Sequence, residues 1–298
     1  MRYIGWPIIP GFDFSGVVEW AGSDSGFQEG EKVFGFSLFG AYSSRVIVDM
    51  KQIRKLPKNI TLEQGAALPA VSATALHAIS LSGGWPGPLV TSNKAALIHS
   101  AAGGVGSMLI QICKITGYHP IVAVVGNPSK AEYCKKLGAD HVVVKNEKNW
   151  WKKIENISSD GYTAIFDANG LDTLFASYSH LSRSGRLVTY GFHSNLPKSP
   201  IINPISWLKL IYGLIFMPKF DPMAMVLDSK SVLGFNLSFF AEEHELISLY
   251  LNAILNWIET GVLLPPETKT FPIERIGIAH QCIQSGLSIG KILVKTND

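Results

Sequence analysis

Ala95-Ala-Leu-Ile-His-Ser-Ala-Ala-Gly-Gly-Val-Gly106, running on into the apolar-periodic Ser107–Lys114, is the stretch on which the fold turns. It reads as strand, tight turn and helix, with Ala95–Ile98 as a short buried strand. Ala101, Gly103 and Gly106 take the three small positions of a dinucleotide fingerprint, with Ala in place of the first Gly. Small residues are needed there for a physical reason. The chain must turn sharply, bring backbone N–H groups close to a pyrophosphate, and pack a helix against the strand. Ala102, Gly103, Gly104, Val105 and Gly106 are therefore the candidate pyrophosphate-binding backbone. The helix N-terminus adds donors without intrahelical partners and a partial positive charge. Taken alone, an ordinary strand-to-helix turn explains the same residues as well.

The residues that follow extend the pattern. Gly117 is suited to stop the helix. Ile121–Val125 is then a continuous apolar run, as expected of a parallel strand buried on both faces. An NAD site usually carries Asp or Glu about twenty residues past the fingerprint, to accept from the ribose 2′-hydroxyl. Here stands Gly126-Asn-Pro-Ser-Lys130, with no acid before Glu132. A carboxylate repels a 2′-phosphate, whereas Ser129 and Lys130 suit one, so NADPH is expected over NADH. The plainer alternative makes Ser129 and Glu132 a capping box, with Lys130 merely solvated.

Further strand–helix alternation follows. Ser129–Leu137 reads as helix, then His141–Val144 as strand with Lys145 at its carboxyl end, where ligands of open α/β sheets bind. Lys145 is therefore a second candidate for the 2′-phosphate. Asn149–Ser158 reads as helix; its Lys148, Trp150, Trp151, Lys152 and Lys153 suit a membrane surface or, more simply, one exposed amphipathic face. Thr163–Asp167, Arg186–Tyr190 and Ser231–Phe235 read as strands, and Glu242–Thr260 as a long helix. This alternation predicts an α/β fold with a doubly wound parallel sheet. Before it, Gly16–Glu19, Glu31–Phe34 and Ala41–Val48 read as strands of an antiparallel unit, and Thr61–Ser82 mainly as helix, capped by Thr61 and Gln64. Phe271–Ile273 and Lys291–Val294 are the closing strands.

Composition sets the outer limits. The 298 residues are 47% hydrophobic and 16% charged, an ordinary globular balance with room for two domains. A net charge of +3 gives no ground for nucleic-acid binding. Cys113, Cys134 and Cys282 are scattered, which suggests free thiols, a reducing compartment and a cytoplasmic location. No Cys-rich ligand cluster supports structural zinc.

Several ordered motifs resemble one family. They are Arg2-Tyr-Ile-Gly-Trp-Pro7, Pro10-Gly-Phe-Asp-Phe-Ser-Gly-Val-Val-Glu19, Gly30-Glu-Lys-Val-Phe-Gly35, Gly40-Ala-Tyr-Ser-Ser-Arg-Val46, Leu68-Pro69, Thr74-Ala75 and the fingerprint itself. Together they resemble the zinc-independent quinone oxidoreductase and zeta-crystallin branch of the medium-chain dehydrogenase/reductases. Thr189-Tyr-Gly191, Gly234-Phe235 and the apolar insert point to its vesicle amine transport protein members. The resemblance implies a Rossmann domain at 76–240 and a GroES-like domain from 1–75 and 241–298. That second domain is expected to be incomplete, because relatives carry opening strands before the motif that here follows Met1.

The same resemblance implies the chemistry. NADPH passes hydride to a quinone or other α,β-unsaturated carbonyl, in a cleft between the domains. Thr74 lies near the nicotinamide, or else simply bonds its own i−4 carbonyl. Asn169, Gly191, Phe192 and Phe235 join the cofactor-binding set, although Gly191 is equally a turn residue and Phe235 equally core. Zinc relatives have Gly-His-Glu where this chain has Gly11-Phe-Asp13, and Phe12 cannot bind metal. Asp13 reads as a structural hydrogen-bonding residue, and His77 as structural. No catalytic proton donor is assigned, and no Ser-His-Asp set demands another mechanism. Tyr3, Trp6 and Tyr42 either line the pocket or pack in the core. A homodimer pairing through Ser231–Phe235 is expected. The insert 201–225 is interrupted by Pro204, Lys209, Gly213 and Pro218, so it is no membrane span. It is a lid, a dimer surface or an interfacial helix with weak membrane affinity. The rival to the enzyme is an NADPH-binding, membrane- or partner-associated protein with little turnover.

Overall fold

A computed structural model describes residues 7–87, 93–145, 147–192, 208, 211, 215, 217–240 and 243–296. Residues 1–6, with Tyr3 and Trp6 of the opening motif, and about half of the insert 201–225 lie outside these residues. The chain divides into two compact units. One comprises Met1–His77, Gly103–Met108 and Leu237–Asp298; the other comprises Ala78–Ala102 and Leu109–Asn236.

The first unit opens with β1 (Asp13–Val17), β2 (Lys32–Phe36) and β3 (Ile53–Lys55), an antiparallel sheet in that order. Ala41–Val48, expected as a strand, is not one. Tyr42 N donates instead to Pro10 O, and Gly40 N to Ile9 O, so this segment folds onto a loop. Ile47 is left fully exposed, with no core for an alternating strand to face. The expected helix over 61–82 is divided in two, α1 (Leu62–Ala67) and α2 (Pro69–Leu81). Pro69 enforces the break, since it has no N–H to continue the ladder and tolerates only a first-turn position. Thr61 and Gln64 form the expected capping box on α1.

In the second unit, β4 (Ala96–Ile98) leads into α3 (Gly104–Ile115), whose residues up to Met108 count with the first unit, then β5 (Ile121–Val125), α4 (Ala131–Lys136) and β6 (His141–Val144). The return half is α5 (Trp150–Ile157), β7 (Tyr162–Asp167), α6 (Leu174–Ser179), β8 (Leu181–Thr189), α7 (Pro222–Asp228) and β9 (Ser231–Gly234). All pairs in the six-stranded sheet are parallel, in the order β6-β5-β4-β7-β8-β9. This is the doubly wound order, with its switch point between β4 and β7. β4, β5 and β7 are wholly buried and the edges β6 and β9 are not, and β5 accordingly reads as an unbroken apolar run.

The helix α5 is strongly one-sided. Ile154 is fully buried, and Trp150, Trp151 and Ile157 pack on the sheet core. Lys152 and Lys153 pair instead with Glu155 and Glu147. The indoles therefore face protein, not a membrane surface. Among the described residues no helix is long and apolar enough to cross a membrane.

The first unit closes with α8 (His244–Glu259), β10 (Thr268–Pro272), α9 (Ile276–Gln284) and β11 (Lys291–Lys295), β10 and β11 pairing in parallel. His77 on α2 meets α8 through Nδ1 and Tyr250 Oη, 2.8 Å apart. Burial holds the His77 imidazole below its ordinary pKa. Burial does the same, more strongly than the nearby Asp167 opposes it, at His99. Both rings bind fewer protons folded than unfolded, so the sign is positive: stability rises with pH. The fold is expected to lose stability as pH falls below about 6.5, the ordinary imidazole value. Thermal unfolding followed from pH 8 to 5 checks this, and His77→Gln should flatten part of the slope. A midpoint independent of pH across that window rejects it.

Candidate functional site

The loop from β4 into α3 has the expected character. Ser100 sits at φ 52°, a left-handed backbone that few non-glycine residues adopt. Ala101 and Ala102 are buried, whereas Gly103, Gly104 and Val105 at the helix N-terminus retain access to solvent. A Cβ on Gly104 would lie 2.9 Å from Val71 Cγ1, so a side chain there would force Val71 to shift. The first N–H groups of α3 have no intrahelical acceptor, which leaves donors for an anion.

The other candidates of the second unit stand where strands end. After β5, Asn127 Oδ1 accepts from Ser129 N at 2.9 Å, and Pro128–Lys130 forms a short 3₁₀ turn before α4. The Ser129–Glu132 capping box is therefore not formed, because Asn127 takes the cap and Pro128 the first helical position. Lys130 is not merely solvated either: it is 8% exposed, and burial lowers its pKa below the ordinary lysine value. Lys145 follows β6, with Nζ 3.8 Å from Asp172 Oδ2. Asn169 follows β7, and its Oδ1 accepts from Ser100 Oγ at 2.8 Å. Gly191 and Phe192 follow β8, and Phe192 is exposed. Phe235 follows β9, its ring 6.3 Å from that of Tyr190. At the carboxyl end of β8, Thr189 Oγ1 is buried without a hydrogen-bond partner among the described residues.

In the first unit, Thr74 Oγ1 donates to Ala70 O at 2.6 Å, the local i−4 bond offered above as its alternative role. Asp13 is wholly occupied in structure. Its Oδ2 accepts from Lys291 Nζ at 2.6 Å and its Oδ1 from Ala70 N at 2.7 Å. Phe12 packs against Phe39, ring centroids 5.0 Å apart. Among the described residues, no group of three His, Cys, Asp or Glu is placed to hold a metal ion.

One assembly escaped sequence reasoning. His99, Ser177 and Asp167 meet in the second unit, all three without solvent exposure. It is no nucleophile triad. Ser177 Oγ donates to Asp167 Oδ2 at 2.9 Å, so the acid lies on the serine and not on the histidine. Burial raises the Tyr190 phenol above its ordinary pKa, so it stays protonated at neutral pH.

The residues present suit a cofactor of the NADPH type. Taken separately, the α3 N-terminus opened by small residues suits a phosphate, as does the largely buried Lys130 ammonium, and the Thr189 hydroxyl at the end of β8, without a partner among the described residues, suits a polar group.

Comparisons with known proteins agree with this architecture. The chain is 27% identical over 291 residues to the synaptic vesicle membrane protein VAT-1 homolog of Danio rerio, covering 97% of this chain. It spans 58% of that relative's length. It is 28% identical over 292 residues to the quinone oxidoreductase of Homo sapiens, covering 97% of this chain and 80% of the relative. The crystal structure of Escherichia coli quinone oxidoreductase complexed with NADPH superposes with TM-score 0.79 at 22% identity. It covers 98% of this chain and 84% of that one. Residues 104–252, half of the chain, match the family described as zinc-binding dehydrogenase, so the chain belongs to that family, within the medium-chain dehydrogenase/reductase superfamily.

Proposed function

We propose that the chain is an NADPH-dependent oxidoreductase that reduces a quinone or another α,β-unsaturated carbonyl without zinc. The observation that carries the reading is Lys130. A lysine that is 8% exposed, beside Ser129 and with no acid in 126–131, is suited to a 2′-phosphate. Lys145 is read as its partner, and residues 76–240 as the cofactor-binding domain. The backbone of Ala102–Gly106 is read as the pyrophosphate cradle, with Thr74, Asn169, Gly191, Phe192 and Phe235 around the rest of the cofactor.

When bound, the cofactor supplies hydride to the conjugated acceptor. The chain's own contribution is orientation and exclusion of water rather than acid–base chemistry. Absence of zinc is supported by Phe12, which has no ligand atom, and by Asp13, already engaged with Lys291 and Ala70. A homodimer through the open edge of β9 completes the reading. A second reading, a membrane- or partner-associated NADPH-binding protein with little turnover, draws on the exposed Leu208, Ile211, Ile215, Met223, Val226 and Leu227.

Titration with both nicotinamides tests the choice of cofactor. NADPH should bind more tightly than NADH. Lys130→Ala should weaken NADPH alone by about 1.5–3 kcal/mol, or roughly 10- to 150-fold. Equal affinity of the unaltered protein for both cofactors overturns the reading. Consumption of NADPH with a quinone or enone panel, in chelator, separates the two functions. Chelator-sensitive turnover rejects the zinc-free mechanism, and tight binding without turnover favours the second reading.

A further inference from the structure

The buried His99–Ser177–Asp167 assembly has a definite proton arrangement. Ser177 has one hydroxyl proton, and it is directed to Asp167 Oδ2 at 2.9 Å. His99 Nε2 lies 3.0 Å from the same Ser177 Oγ, which then has only lone pairs to offer. Nε2 must therefore carry the proton, and Nδ1 is a bare acceptor. Nδ1 is buried and without a partner among the described residues, as that tautomer requires if no donor is to be stranded. The rings of Trp150 and Trp151 close around it, with centroids 6.3 and 5.7 Å away.

The carboxylate passes the constraint onward. Asp167 Oδ1 accepts from Asn169 N at 2.8 Å and Gly170 N at 3.2 Å, which shapes the turn after β7. Asn169 Oδ1 accepts in turn from Ser100 Oγ at 2.8 Å. Ser100 adjoins His99 in the chain and holds its left-handed backbone there. The bonds thus form a closed circuit: His99 to Ser177, Ser177 to Asp167, Asp167 to the Asn169 turn, and Asn169 to Ser100. Between His99 and Asp167 each proton has one acceptor, and reversing the Ser177 hydroxyl would move the His99 proton to Nδ1, which has no acceptor among the described residues.

We infer that His99, Ser177 and Asp167 are positioning residues that lock the turn after β7 against the fingerprint turn, presetting both for the phosphate-bearing half of a dinucleotide. This rests on the NADPH reading above. No member of the trio touches solvent, so each acts only through Ser100 and Asn169.

The test uses the full chain with NADPH and adenosine 2′-monophosphate as separate probes. The monophosphate reports the Lys130 end, which the circuit does not reach. Ser177→Ala removes the relay and should weaken NADPH roughly 10-fold, with the monophosphate unchanged. His99→Gln keeps an N–H for Ser177 and should restore near-normal NADPH binding, whereas His99→Leu should not. In ¹⁵N spectra of the unaltered protein, His99 should show the Nε2–H tautomer. A purely structural role would lower the unfolding temperature in both His99 variants without the split between probes, and that result overturns the inference. So does an Nδ1–H tautomer, or unchanged NADPH affinity in Ser177→Ala. If the unaltered protein binds the monophosphate and NADPH but Ser177→Ala behaves identically, the circuit alone fails. If it binds neither probe, the NADPH reading fails and the inference with it.

Discussion

Asp13→Ala is expected to lower the free energy of unfolding by about 3 kcal/mol, in a protein whose total stability is of order 5–15 kcal/mol. The size follows from what the carboxylate joins. α2 begins at Pro69, which has no N–H, so Ala70 carries the first donor that needs an acceptor. The preceding residue is Leu68, which cannot cap. Asp13 supplies the missing acceptor from 57 positions away, at 2.7 Å. Its other oxygen holds Lys291 at the start of β11, at 2.6 Å. The Asp13 side chain is 8% exposed and that of Lys291 26%. Truncation strands an amide, costing about 1–3 kcal/mol, and leaves a half-buried ammonium without its anion. Loss of a fully buried pair member costs about 3–5 kcal/mol, and the partial exposure of Lys291 places this site at the lower end. Asp13→Asn keeps an acceptor for Ala70 and should recover about half of the loss. Urea unfolding of the three proteins measures this. A change below about 1 kcal/mol for Asp13→Ala would reject the cross-link as a stabilising feature.

Much of the nucleotide unit is legible because its signals are local. Ile121–Val125 is apolar throughout since β5 is covered on both faces, and both ends of that strand match the sequence reading. The fingerprint turn is legible because a sharp turn with close helix–strand packing admits only small residues, a requirement written into the local sequence at Ala101, Gly103 and Gly106. The misreadings arise where a local pattern competes with a distant partner. Ala41–Val48 has strand-forming residues, but its backbone bonds go to Pro10 and Ile9, and no core lies beneath Ile47. Ser129 matches a capping signature, yet Asn127 and Pro128 set the turn two residues earlier. The tryptophans of α5 read as a surface feature because one-sidedness shows the polar face as plainly as the apolar one. Only packing tells which face meets the core. His99, Asp167 and Ser177 belong to three different elements, and no period or spacing relates them. Their meeting follows from β4 and β7 being neighbours at the switch point, a fact of topology rather than of composition.

Asp167→Ala is expected to be the most damaging of the single changes considered, at about 3–5 kcal/mol of unfolding free energy. The carboxylate is without exposure, and three donors converge on it: Asn169 N, Gly170 N and Ser177 Oγ. Alanine leaves all three in an apolar setting at about 1–3 kcal/mol each, partly relieved by relaxation of the turn. The hydroxyl of Ser177 has one alternative, to donate to His99 Nε2. That shift moves the imidazole proton to Nδ1, which has no acceptor among the described residues. The strain is thereby relocated, not removed. Asp167→Asn separates the geometric from the protonic part. Its amide oxygen serves the two backbone donors, but its NH₂ faces Ser177 and forces the same tautomer change. An intermediate loss of about 1–3 kcal/mol is expected. Removing the imidazole as well, in Asp167→Asn with His99→Leu, should cost less than the sum of the two single changes, because the stranded proton is then gone. A double-mutant cycle on unfolding free energies measures that coupling. Simple additivity within about 0.5 kcal/mol would show that proton placement is not what holds these residues together.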